Sequence, residues 1–570
     1  MSRYGIRCFS LFLALVIMNA VICFSPGCGR STTTAPDNTE QSASVPSSDI
    51  QRAPIEEATS SGGAEQSVAT PSSDIQRAPI DEEDSQLEPG NTIKLISMGE
   101  ERTLPRRLLG LQVVPFYERL TDSQVKRSIA RDMAPAFIRF PGGTVGNYYN
   151  WRTGLLEVPA ENDSSAYTLY FVEVADFIRG LHPQGISIEQ YHEFSEAIGA
   201  EIVLVANLET STIPEQVAWF EHMKQDGIIP RRIELGNEFW VAMLGDPNVL
   251  EQWPDVTTAM RVMKDYRDAL LPYFAEDTLV AIQAAGSRLF ENNLDGELIP
   301  MTHLKDWDAS LSSKSWFDAV TLHFYLDVDR VAGSGERANL PQNIEEVFPA
   351  MMARCDSGLE ETLNYIEKRL PGKEIWITEW SGKSGPGVLV SQKEGVIYGM
   401  NLHLTTRMVM AMLRNESVTL ALYHMLNFSG GTMSLYAYDS ESGGYVPIGP
   451  ATILTWFNHA ANGGVTYQRL KVEGAKRITS STTALESYYD IEAALFKKGE
   501  KATIIIHNAS AANKNLELSH LMEGRLPTKI EVVIANLDED YSRSIPAVQT
   551  VTTGNNLELP PYSVTRLLWE

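Results

Sequence analysis

The sequence predicts an α/β protein: a (β/α)8 TIM barrel followed by a C-terminal β-sandwich domain. Two patterns point there. Across residues 105–463, eight apolar runs of strand length alternate with helical stretches, as parallel βαβ units require. Across residues 464–570 the helical period stops, and short alternating strands follow, separated by Gly, Asn, Asp and Pro.

The eight runs are Leu108–Phe116, Ala136–Phe140, Glu201–Leu208, Arg232–Leu235, Leu279–Ala284, Ala319–Phe324, Ile375–Thr378 and Val418–Leu422. Helix signals fall between most of them. Ser187 with Gln190 three residues on forms a capping box, apolar positions continue through Phe194 and Ile198, and Gly199 closes the segment. Pro214 opens another helix in its first turn, where the missing N–H costs nothing. The strands expected after the barrel are Ser487–Phe496, Lys501–His507, Lys529–Ile534, Asn556–Leu559 and Val564–Leu568, and residues 91–104 are expected to add an edge strand to that domain.

Residues 1–28 read as a targeting segment. Arg3 and Arg7 precede a mostly apolar run, Phe9 to Phe24, that is short for a membrane span. Ser25-Pro26-Gly27-Cys28 resembles a bacterial lipoprotein processing site, so export is expected, with Cys28 a candidate for lipidation and membrane attachment. The destination is then periplasmic, outer-membrane or extracellular. Residues 29–90 are rich in Ser, Thr, Pro and acidic residues and cannot bury enough apolar area to offset the entropy of ordering. They contain a duplicated decapeptide, Pro46–Ile55 and Pro71–Ile80, and read as a disordered tether.

The net charge of −26 argues against a nucleic-acid partner, which needs clustered Lys and Arg. Of four cysteines, Cys355 alone lies beyond the N-terminal 28 residues, so a disulfide framework and a cysteine-based metal site are excluded. There is no phosphate loop, no Gly-x-Ser-x-Gly elbow and no His-x-His pair ending a strand. No cofactor and no metal are expected. Oligomeric state is not legible.

In a (β/α)8 barrel the C-terminal ends of the strands build the active site. The fourth strand ends Glu234-Leu235-Gly236-Asn237-Glu238-Phe239-Trp240, and the seventh Trp376-Ile377-Thr378-Glu379-Trp380. Strands four and seven face each other across the mouth. Two carboxylates about 5–5.5 Å apart are what double displacement at an anomeric carbon requires. Trp151, Trp240 and Trp380 are candidate platforms, because the C–H face of a sugar packs on an aromatic ring.

These motifs resemble the clan of retaining (β/α)8 glycoside hydrolases. Arg139-Phe140-Pro141-Gly142-Gly143 with Tyr149-Asn150-Trp151 resembles the α-L-arabinofuranosidase family, although Thr144 stands where that family has Asn or Cys. Gly142-Gly143-Thr144 is closer to the heparanase and β-glucuronidase family. Leu559-Pro560-Pro561-Tyr562 looks like the last strand of the β-sandwich both carry. The resemblance implies Glu379 as nucleophile and Glu238 as acid/base. It implies that Asn237 bonds the 2-hydroxyl, that Arg139 lies under the nucleophile, that Tyr325 donates to Glu379 and that His323 lines the −1 subsite. Glu118 and Asn207 are further candidates for sugar binding. The substrate expected is a plant- or algal-type poly- or oligosaccharide, α-L-arabinofuranosides first, then β-glucuronides and β-xylosides. A glucuronide carboxylate would need a cation such as Lys383 or Arg288. A non-catalytic carbohydrate-binding lipoprotein on the same barrel is the alternative of another class.

Overall fold

The computed structural model describes residues 92–97, 101–104, 108–117, 124–158, 166–242, 253–286, 301–327, 344–383, 398–426, 434–439, 443–447, 449–479, 486–518, 521–537, 539, 547–551 and 554–570. The targeting segment with Cys28 and the 29–90 tether lie outside the described residues.

Eight parallel strands close into a barrel: Leu109–Gln112, Phe137–Phe140, Glu201–Ala206, Arg232–Leu235, Leu279–Gln283, Ala319–Asp327, Glu374–Lys383 and Val418–His424. All eight were legible as apolar runs, and the differences fall at the ends. The first strand stops at Gln112, where Pro115–Tyr117 turns into a 3-10 helix. The sixth, seventh and eighth run two to five residues further than their apolar stretches, and these extensions carry polar groups to the mouth. Phe137, Val203, Ala281, Ala319, Trp376 and Leu420 fill the barrel interior from the N-terminal parts of its strands.

Helices cover the outside. In Ile188–Ile198 the Ser187 hydroxyl accepts from Gln190 N, the Gln190 side chain accepts from Ser187 N, and Gly199 ends the helix in the left-handed region. Helix Ile213–Gln225 has Thr212 as its cap and Pro214 in its first turn.

The C-terminal domain is a ten-stranded curled sheet. Thr92–Ser97 joins it not as the expected edge strand but as an interior one, between Val465–Glu473, to which it is antiparallel, and Lys514–Glu517, which it meets in parallel. Arg102–Leu104 pairs with the start of Val465–Glu473. One face of the sheet closes on Ile93, Leu95, Leu470, Ile504, Ile530 and Leu567. The other contributes Tyr467, Phe496, Ile505 and Val564 to the core of the barrel. A buried ionic network ties the two together. Arg407 Nη1 lies 2.5 Å from Glu492 Oε2 and 3.2 Å from Asp356 Oδ2, and Arg414 Nη1 lies 2.7 Å from Glu492 Oε1.

Candidate active site

Polar side chains from six of the eight strands converge at the mouth. Arg139, on the second strand, has no exposed surface. Its Nε and Nη2 bind Glu234 Oε1 and Oε2 at 2.9 and 2.7 Å, a bidentate pair inside the fourth strand. Its Nη1 donates to Glu379 Oε1 at 2.6 Å, and Nη2 also reaches Asn237 Oδ1 at 2.8 Å. Gln112 closes this group from the first strand: with its amide oxygen turned toward the donors, it accepts from Gly143 N at 2.9 Å and Arg139 Nη1 at 3.3 Å.

Glu379 is brought in by a register shift. Between Leu322 and His323 the pairing of the sixth and seventh strands slips, so that His323 stands opposite Glu379. The Tyr325 hydroxyl, two residues along the same face, donates to Glu379 Oε2. His424 Nε2, at the end of the eighth strand, lies 4.0 Å from that oxygen. Gly143 backs the carboxylate so closely that a Cβ there would fall 2.3 Å from Glu379 Oε1. Burial alone would raise the Glu379 carboxyl. The charges of His323, His424 and Arg139 and the Tyr325 hydrogen bond outweigh it and hold the group at about 2. The side chain is thus ionised and held by donors, as a nucleophile must be.

Glu238 follows the fourth strand in the left-handed region, at φ 50°. Its Oε1 is 2.6 Å from His323 Nδ1, while His323 Nε2 is 3.1 Å from Thr378 Oγ1. Burial lowers the His323 imidazole's proton affinity, but the Glu379 and Glu238 charges more than reverse it, and its pKa is raised. The 2.6 Å contact is a hydrogen bond between the His323 imidazole and the Glu238 carboxyl, and it fixes where that carboxyl points. Ligand-capable atoms of Glu238, His323 and Glu379 all lie within 4.8 Å of one another. A divalent ion could bridge that spacing, but the Arg139 guanidinium already supplies the positive charge at Glu379. Glu189, His222 and Asp226 form a second such group on the outer helices, where His222 Nε2 and Glu189 Oε1 are already 2.9 Å apart.

The sequence matches no family model and no curated protein. Solved structures do match. An arabinofuranosidase of family GH51 from Xanthomonas axonopodis pv. citri is 13% identical, with a TM-score of 0.59 over 84% of this chain and 100% of its own. A family 51 α-L-arabinofuranosidase from Bifidobacterium longum gives 13% and 0.59 over 85% and 100%. A family 44 xyloglucanase from Paenibacillus polymyxa gives 12% and 0.51 over 84% and 99%. The chain has the fold of these hydrolases. At such identities the likeness establishes architecture alone.

The other expected site residues are placed differently. Asn207 is buried, and its side chain is spent on its own loop. Its Oδ1 accepts from Glu209 N and Thr210 N, and its Nδ2 donates to Tyr149 O and Thr210 Oγ1, so it is not aimed at a sugar. Trp380 is a correction of the same kind: its ring is fully buried, edge-on to Tyr423 at 5.1 Å, and cannot serve as a platform. Trp240 is buried as well, at 7% exposure. Trp151 keeps a partly open face, but the Arg152 guanidinium covers its ring at 4.3 Å and His222 lies beside it at 5.3 Å. Glu118, Arg288 and the Lys383 side chain lie outside the described residues.

Gln112, Glu234 and His424 were missed. Glu234 could have been found, because a carboxylate inside a barrel strand must be paired and Arg139 is a matching cation inside another strand of the same barrel. His424 sits two residues past the apolar run that marked its strand, on the face of Leu422. Gln112 lies inside an apolar run and gave no signal of its own.

Proposed function

We propose that the chain is an exported retaining glycoside hydrolase, with α-L-arabinofuranosides as the leading substrate class. One observation carries the reading. Two carboxylates stand at the ends of strands four and seven with one oxygen of each within 4.8 Å of the other, near enough to act on one anomeric centre, as the paired carboxyls of double displacement do. A decayed carbohydrate-binding barrel has no need of a carboxylate held ionised by Arg139 and Tyr325.

In the first step Glu379 attacks the anomeric carbon, the bond to the leaving oxygen breaks, and that oxygen takes the proton of the Glu238 carboxylic acid. In the second step Glu238 takes a proton from water, the water oxygen bonds to the anomeric carbon, and the ester to Glu379 breaks. The Asn237 amide stands beside the nucleophile, held through Oδ1 by Arg139, and is the group best placed for the 2-hydroxyl.

A second sugar is favoured by one contact. Asn237 Nδ2 donates to Thr144 Oγ1 at 3.3 Å, so the residue that departs from the arabinofuranosidase pattern touches the side chain assigned to the 2-hydroxyl. A β-glucuronide is the substrate class to test against it. Turnover of 4-nitrophenyl α-L-arabinofuranoside, β-glucuronide, β-xyloside and β-glucoside decides among them. Failure of every one would remove the hydrolase reading and leave a binding protein.

A further inference from the structure

The acid/base carboxyl hangs from a turn that the strand ladders hold only on the third-strand side, where Gly236 N donates to Ala206 O at 3.1 Å. Pairing between the fourth and fifth strands ends at Glu234 opposite Ala281. Beyond it lie Leu235 O, Gly236 O and both backbone groups of Asn237, all of them buried. Buried backbone groups left without partners are costly. The turn is also conformationally demanding. Gly236 has φ 77°, where a Cβ would in addition meet the Phe239 ring at 1.9 Å, and Glu238 itself has φ 50°. A non-glycine residue in the left-handed region persists only where its surroundings determine it.

Two side-chain amides supply what the ladder lacks. Gln283, the last residue of the fifth strand and 2% exposed, donates through Nε2 to both Leu235 O and Gly236 O, the latter at 2.7 Å. One NH2 group with two protons satisfies two successive carbonyls, which neither a hydroxyl nor a carboxylate could do. Its Oε1 has no hydrogen-bond partner among the described residues, so the amide acts here as a donor. Gln283 is fixed in turn by the following helix: Trp307 Nε1 donates to Gln283 O at 2.8 Å, and Asp308 Oδ1 accepts from Ala285 N at 2.8 Å.

On the other side Asn147, 1% exposed, takes both backbone groups of Asn237. Its Oδ1 accepts from Asn237 N at 3.0 Å and its Nδ2 donates to Asn237 O at 2.9 Å. Thr210 Oγ1 holds Asn147 O at 2.8 Å, and Asn207 Nδ2 holds Thr210 Oγ1 at 2.9 Å. Asn207 thus ends a relay of hydrogen bonds that begins at the turn.

We propose that Gln283 and Asn147 are positioning residues for the acid/base: they clamp the 235–237 turn and thereby aim the Glu238 carboxyl at the leaving oxygen. Neither hydrogen-bonds to Glu238. The proposal rests on the assignment of Glu238 as acid/base.

A displaced acid harms only reactions that need a proton. The test is therefore kcat/KM, which reports the first irreversible step, for dinitrophenyl, 4-nitrophenyl and phenyl glycosides of the sugar that the wild type cleaves in the panel above. Gln283→Met and Asn147→Asp remove the donors at nearly constant volume. Each is expected to stay within about threefold of wild type on the dinitrophenyl substrate. On the phenyl substrate each should fall by about a hundredfold, the low end of one general-acid contribution. Equal losses on all three substrates, or none, would overturn the clamp. If one variant fails to fold, as read by near-UV circular dichroism, the other reads the opposite side of the same turn. Glu238→Ala is the control. If it lacks the leaving-group dependence, the acid/base assignment has failed; if it shows the dependence and the two amide variants do not, the clamp alone has failed.

Discussion

Arg139 Nη1 lies 2.6 Å from Glu379 Oε1, with the guanidinium wholly cut off from water and the carboxylate nearly so. The same guanidinium grips Glu234 with its other two nitrogens. One cation thus serves two buried carboxylates, and removing it strands Glu234 and takes from Glu379 one of its donors.

Arg139→Met should therefore lose activity and stability together. Breaking a buried pair from one side costs about 3–5 kcal/mol. Losing an electrostatic contact at the reacting group costs about a hundred- to a thousandfold in kcat. Thermal melting and steady-state kinetics check the two halves. A variant with wild-type melting would mean that Glu234 and Glu379 are not held by Arg139.

Gly143→Ala should separate activity from folding. The new Cβ would come 2.3 Å from Glu379 Oε1, so the nucleophile must move. A loss of at least about tenfold in kcat is expected with a melting point near that of wild type, since overpacking one contact costs about 1–3 kcal/mol. Unchanged kcat would show that Glu379 does not rest against this glycine.

Acid should weaken the junction between barrel and sheet. His403 and His507 are fully buried and stacked there, with His403 Nδ1 3.0 Å from His507 Nε2 and His403 Nε2 2.7 Å from Ala535 O. Burial, then the nearby Arg407 charge, lowers the His403 pKa to about 4 despite the Ala535 carbonyl, and His507 is lowered also. The unfolded chain, with ordinary histidines near 6.5, binds more protons between those values. Stability is thus full above about pH 6.5 and falls as pH drops toward 4. Melting temperatures across that window check this, and His403→Gln should flatten the slope. A wild type whose melting point is level from pH 6.5 to 4 would contradict it.

The junction also depends on Glu492, whose carboxyl is held at about 2: burial would raise it, and Arg414, Arg407 and Arg469 outweigh burial. Glu492→Gln leaves two buried arginines sharing Asp356. A loss of about 3–5 kcal/mol is expected in denaturant unfolding. A loss below about 1 kcal/mol, typical of exposed pairs, would mean the network is solvated.

The barrel was legible because each strand is an apolar run bounded by a helix signal, a pattern that burial on both faces imposes. The Glu238 and Glu379 positions followed from the strand ends. The C-terminal sheet was less legible. Val465–Glu473 was not recognised because polar Thr466, Gln468, Arg469 and Lys471 interrupt its apolar residues, although it pairs with three other strands. Lys514–Glu517 and Val548–Val551 are four-residue strands with too little pattern to detect. The stacking residues misled for another reason: Trp380 follows Glu379 directly, so the alternation of a strand turns its ring away from the mouth that Glu379 faces.

The covalent step is the most direct point of attack. In Glu238→Ala, a dinitrophenyl glycoside of the preferred sugar should still react, because its leaving group needs no proton, while hydrolysis of the adduct lacks its base. Intact-mass measurement should then show one sugar added, and peptide mapping should place it on Glu379. Turnover that inverts the anomeric centre, with no adduct on Glu379, would contradict double displacement at this site.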